Sequence, residues 1–161
     1  MKNVVVWALL ISLTAFNSSI AQAASQSVPS GKNSAFLFAG NWKLNLQKSK
    51  IPASSKITDE RRSYNKKGDS ITLLWSRTFK DNKKETGTYE FKCDGKKWVT
   101  GPQTIICTYS HSDSHAVMEG LILPSQLYFR NEVKNNELVI RVFKDSQHKQ
   151  VVLMSVFDPG N

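Results

Sequence analysis

His111, Asp113 and His115 are the one set of residues in this chain spaced like metal ligands. On a strand the three would share a face, and imidazole with carboxylate suits zinc or copper. Ser112, Asp113 and Ser114 also read as a turn, which would break that face, so no metal ligand is assigned. Nucleophilic chemistry has no footing either. The chain has no G-x-S-x-G elbow, no H-E-x-x-H helix and no phosphate-cradling glycine loop. An enzyme is not expected, and no cofactor is implied.

Arg77 carries more information. It lies in register with Ile71, Leu73, Trp75 and Phe79, an otherwise apolar face. If that face points into a barrel, the guanidinium needs a carboxylate or phosphate partner. It would then be the counter-ion of an anionic ligand. The other reading is structural, with Arg77 at a strand end in water or paired with an internal acid such as Glu90. Trp75, Tyr89, Phe91, Tyr128 and Phe143 are candidates to line an apolar cavity beside it. Ordinary core packing would use the same residues.

Cys93 and Cys107 are the only two cysteines. Their spacing is wrong for a zinc knuckle, which wants close pairs. In an oxidising compartment the default is a disulfide. Closing a loop of about 15 residues stabilises by about 3 kcal/mol on the chain-entropy model.

The compartment follows from the start of the chain. Met1-Lys2-Asn3 precedes an apolar run from Val4 to Phe16, and Ala21-Gln22-Ala23 is a small-x-small site. That order is a secretory signal peptide, and residues 1–23 are assigned to it. A bilayer span needs about 20 apolar residues, more than that run supplies. The product is expected to be periplasmic or extracellular, free in solution, with no transmembrane segment, and a monomer. Residues 24–35 read as a flexible lead-in, and the folded domain is expected over 36–161.

The charge is uneven. Residues 24–100 hold 16 Lys+Arg against 7 Asp+Glu, whereas residues 101–161 hold 5 against 6. A basic half attracts anionic surfaces, polymers or acidic proteins, or it merely keeps the chain soluble. Lys43, Lys48, Lys50, Lys56, Arg61, Arg62, Lys66 and Lys67 would make one contiguous basic surface. Aromatics interleaved with lysines could bind single-stranded nucleic acid, but export argues against a specific nucleic-acid partner.

The elements that must position these residues read as strands. Turn signals recur at Asn65–Asp69, Asp81-Asn82, Asp94-Gly95, Ser112–Ser114, Asn135-Asn136 and Asp145–Gln147. Between them the period is two, at Ile71–Phe79, Thr88–Cys93, Ile105–Ser110, Ala116–Leu123, Leu127–Val133, Leu138–Phe143 and Val151–Phe157. No segment has a capped helical period. An all-β, up-and-down antiparallel barrel of eight or more strands follows, because closure removes exposed edges. The alternative is a two-sheet β-sandwich. A two-residue Asn135-Asn136 turn would set Val133 against Leu138, Asn131 against Ile140 and Phe129 against Val142. It would also set Arg130 against Arg141, a like-charge pair that Glu132 or a bound anion must relieve.

Gly40-Asn41-Trp42 resembles the G-x-W signature at the first strand of lipocalins. Gly40 to Lys50, Tyr64, Gly68-Asp69, Asp94-Gly95-Lys96 and Thr100-Gly101 follow in the order seen in small exported bacterial lipocalin-like proteins. The resemblance spans residues 38–158, and the second lipocalin signature, a Thr-Asp-Tyr, is absent. It implies a closed calyx that binds a small hydrophobic or amphipathic molecule, anionic or neutral. It also implies a late-strand arginine, Arg130 or Arg141, over Trp42. The other reading is a filled barrel whose basic half docks on an anionic surface or acidic protein.

Overall fold

The computed structural model describes residues 36–160. The signal peptide and lead-in assigned from sequence lie outside the described residues, as does Asn161. Ten strands form one sheet. They are β1 (Gly40–Lys50), β2 (Ile57–Lys67), β3 (Ser70–Phe79), β4 (Lys84–Phe91), β5 (Asp94–Thr100), β6 (Gln103–His111), β7 (His115–Leu123), β8 (Leu127–Lys134), β9 (Glu137–Phe143) and β10 (Val151–Pro159). One turn of 3-10 helix, Ala53–Ser55, joins β1 to β2. The strand order is β4-β3-β2-β1-β10-β9-β8-β7-β6-β5, every pair antiparallel. The first and last strands pair, so the sheet curls into a nearly closed barrel with its seam between β4 and β5. This is the expected up-and-down barrel, and one continuous sheet replaces the sandwich alternative.

Local chemistry sets the register. Asn135 and Asn136 both take positive φ, at 52° and 60°, as a tight hairpin demands. Val133 faces Leu138, Asn131 faces Ile140 and Phe129 faces Val142, as the turn predicts. Asp94-Gly95 does not make the expected hairpin. β4 and β5 do not pair, the corner falls at Lys92-Cys93, and Asp94 already pairs with Thr108 of β6. The Asp94 carboxylate instead accepts from the Lys96 amide at 3.0 Å and the Trp98 indole at 2.9 Å. Across the seam the Glu90 amide donates to Thr100 Oγ1 at 3.2 Å. Cys93 and Cys107 are bridged, with Cα atoms 4.3 Å apart, which ties the corner to β6 under the seam.

The two ends of the barrel differ. Every odd-to-even connection lies at one end, here the upper. The lower end is plugged by residues 36–39, with Phe38 wholly buried against Tyr64 and Tyr109. The Phe38 carbonyl accepts from the Trp42 indole at 2.9 Å. Ile71, Phe91, Cys107, Met118, Leu138 and Phe157 complete the packed lower core. Burial of such side chains contributes about 1.5–3 kcal/mol each. The upper half is more polar. Its inward residues include Glu60, Thr100, Gln103 and Ser155, all buried, with Arg62, Trp75, Arg77 and Tyr89 half-buried.

Candidate functional site

The inner wall of β2, β3 and β4 holds the polar centre. Alternation turns Glu60, Arg62 and Tyr64 of β2 inward, and the ladder sets Glu60 beside Arg77, Arg62 beside Trp75 and Tyr64 beside Leu73. On β4, Glu85, Gly87 and Tyr89 stand opposite Arg77, Trp75 and Leu73. Arg62 Nε donates to Glu60 Oε1 at 2.6 Å and Arg77 Nε donates to Glu60 Oε2 at 2.8 Å. Glu60 is 3% exposed, and the two arginine side chains 18% and 14%. Burial pushes the Glu60 carboxyl up, but the two guanidiniums pull harder and hold it below its ordinary range.

Two half-buried cations therefore share one carboxylate. Glu85, opposite Arg77, is bound to Lys83 at 2.8 Å. Counted with Lys83, the group of three cations and two carboxylates carries one net positive charge. Beside it, the Tyr64 hydroxyl and the Trp75 Nε1–H are buried and make no hydrogen bond of good geometry, with Arg62 beside the one and Tyr89 beside the other. Arg77 lies over the Trp75 ring at 5.3 Å and Arg62 over the Phe157 ring at 5.3 Å. Gly87 makes room for this layout. A Cβ there would meet the Trp75 indole at 2.6 Å, so glycine lets the ring lie flat against β4.

The sequence-predicted residues divide. Arg77 points inward as expected, but its acid is Glu60 and not Glu90, which faces out and accepts from Ser70. Trp75 and Tyr89 face the upper interior of the barrel, their rings 6.3 Å apart. Phe91 faces in but is packed in the lower core, 4% exposed. Tyr128 and Phe143 do not line the lumen. They share the outer face with Arg130, because their neighbour Phe129 takes the inward position, and Phe143 is covered by His148 of the β9–β10 loop at 4.5 Å. Arg130 and Arg141 also lie on the outer face, bound to Glu119 at 3.0 Å and Glu132 at 3.1 Å. Neither can cover Trp42, whose ladder neighbour is Arg62. His111 stacks on Tyr109 at 5.2 Å, while His115 binds Glu132 at 2.7 Å. Among the described residues no group of three ligands could hold a metal.

Solved structures share this architecture. The fold is calycin-type. A fatty acid transporter described as REP1-NXSQ superimposes with a TM-score of 0.53 at 15% identity, covering 76% of this chain and 96% of its own. The Echinococcus granulosus fatty-acid-binding protein 1 gives 0.52 at 17%, covering 78% and 98%. The fluorescent protein UnaG gives 0.53 at 13%, covering 76% and 97%. No protein-family model matches the sequence, and no curated protein is significantly similar to it.

Glu60, Arg62 and Tyr64 escaped the sequence reading. β2 runs Asp-Glu-Arg-Arg-Ser-Tyr-Asn-Lys-Lys, charged on both faces, so hydrophobic alternation gives no inward side. The available signal was charge alternation, with Glu60, Arg62 and Tyr64 two apart.

Proposed function

We propose that this chain is an exported binding protein that holds a small amphipathic molecule in the upper half of the barrel, its anionic head at Arg62 and Arg77. The observation that carries this is the pair of half-buried guanidiniums sharing the single Glu60 carboxylate. A buried unpaired charge is costly. A carboxylate or similar head recovers that cost through charge-assisted hydrogen bonds. The buried Trp75 indole N–H supplies a further donor. Trp75 and Tyr89 offer the apolar wall, and the packed lower core limits the ligand to a short one. The fatty-acid-binding proteins that share the fold support a hydrophobic body. The disulfide accords with export.

Organic extraction of the purified mature protein followed by mass spectrometry tests the reading. Recovery of an anionic amphiphile near one per protein supports it. Recovery of neutral lipids alone, or of nothing from protein that also ignores added medium-chain carboxylates, overturns it.

A second reading rests on the charge layout. β1 to β5 are contiguous around the cylinder through the seam, so the basic half of the sequence becomes one side of the barrel. That side could dock on an anionic surface while the lumen carries ligand. Arg62, predicted to join this surface, faces inward instead, and Lys48 is bound to Glu137 and to Asp158. Vesicle binding that falls steeply with salt would support docking.

A further inference from the structure

The outer wall of β1, β2 and β3 holds a recess of about 570 Å3, flanked by Pro159 of β10 and by Gly160 after it. Its walls are the outward residues Asn41, Lys43, Arg61, Ser63, Leu74 and Ser76. Trp42, Arg62 and Trp75, which alternate inward, also border it.

Lys43 and Arg61 are direct neighbours in the β1–β2 ladder. Like charges set opposite one another on a sheet are destabilising. The same barrel contains a second such pair, Arg130 and Arg141, and relieves it with Glu119 at 3.0 Å and Glu132 at 3.1 Å. The Lys43–Arg61 pair has no equivalent relief among the described residues. Arg61 reaches Asp59 at 3.6 Å, with its own side chain 62% exposed. Asp158, the ladder neighbour of Lys43 on the other side, is taken by Lys48 at 3.0 Å and by the Asn45 amide at 2.7 Å. Two adjacent cations thus open onto a recess of ligand size. Ser63, Ser76 and Asn41 line it with short hydrogen-bonding groups, and Leu74, 51% exposed, gives one apolar wall.

We infer that this recess is a second binding site, for a phosphate or sulfate ester of a small hydroxylated molecule such as a sugar. The tetrahedral oxyanion sits between Lys43 and Arg61, where it relieves the like-charge pair. The hydroxylated remainder meets Asn41, Ser63 and Ser76. A long anionic polymer would need basic groups continuing along the wall, whereas the neighbouring outward row, Asn41, Ser63, Leu74 and Thr88, is uncharged.

The test is an NMR titration of the full mature protein at ionic strength held constant with sodium chloride. The probes are inorganic sulfate, galactose 6-sulfate, galactose 6-phosphate and plain galactose. Saturable shifts at the Asn41, Ser63 and Ser76 amides are expected with the esters, weaker ones with sulfate, and none with galactose. Lys43→Gln/Arg61→Gln should weaken the esters by roughly tenfold or more, and Lys84→Gln should leave them unchanged. The double variant removes a repulsive pair, so it should fold at least as stably as the parent. Should it fail to fold, Lys43→Gln alone carries the comparison. Shifts that do not saturate, or that survive both variants, overturn the site. Binding of anionic vesicles through Lys43 and Arg61 without any response to the sugar esters would overturn the small-molecule assignment in favour of a lipid surface.

Discussion

Glu60 and Arg77 stand 17 residues apart in sequence and side by side on the inner wall, with Arg77 Nε 2.8 Å from Glu60 Oε2. The same carboxylate takes Arg62 at 2.6 Å. The three form a unit whose carboxylate is saturated and whose cations are not. That imbalance separates a binding wall from a structural ion pair, and it underlies the expectations below.

Removal of the shared carboxylate should be severe. Glu60→Gln removes the shared anion of two half-buried guanidiniums, a loss bounded above by the about 3–5 kcal/mol of a fully buried pair. The pH dependence follows from the direction of the shift. The folded Glu60 carboxyl lies below its ordinary value of 4.5, so its stabilisation is complete above that pH and is lost as the pH falls through the folded value. Urea midpoints from pH 6 to pH 3 should drop in the parent below about pH 4.5 and drop less in Glu60→Gln. Parallel curves would remove Glu60 from the account.

Gly87 should be intolerant for a reason that is local to the ligand wall. A methyl group there meets the Trp75 indole at 2.6 Å. Gly87→Ala must push the ring into the lumen, at a cost of about 1–3 kcal/mol. The Trp75 Nε1–H resonance should shift and ligand affinity should fall, with the lower core unmoved. An unchanged indole resonance would mean that the wall relaxes elsewhere.

The bridge between Cys93 and Cys107 closes a separation of 14 residues and ties the β4–β5 corner, at one end of the seam, to β6. Reduction, or Cys93→Ala/Cys107→Ala, should lower stability by about 3 kcal/mol. Hydrogen exchange should rise first at the seam, at the amides of β4 and β5. Uniform loss of protection over the whole barrel would show that the bridge does not act locally.

The legible part of this fold is the part written in turns and alternating apolar residues. Asn135-Asn136 needed positive φ at two consecutive positions, and the register from Phe129 to Val142 followed. Ile71, Leu73 and Trp75 gave an inward face, and Arg77 was readable as the charge on it. β2 was not legible in this way, because its faces are both polar and only the ladder to β3 sets Glu60 inward. Tyr128 and Phe143 misled for the converse reason. An aromatic buried under a loop on the outer face looks, in sequence, like one buried in a lumen. Phe143 is 3% exposed yet stands outside the core cluster, under His148. Asp94-Gly95 had hairpin chemistry but no partner strand, since the seam falls there.

The central claim is that the two guanidiniums gathered on the Glu60 carboxylate select the head of the ligand. Arg77→Met isolates it, because Glu60 and Arg62 remain a neutral pair at 2.6 Å and no buried carboxylate is orphaned. The measurement is the calorimetric affinity of a medium-chain carboxylate and of the primary alcohol of equal chain length, for the parent and for Arg77→Met. The parent should prefer the carboxylate, and the variant should lose roughly tenfold or more of that preference while alcohol binding stays nearly constant. Equal loss for both molecules, or a parent that does not distinguish them, would contradict the account.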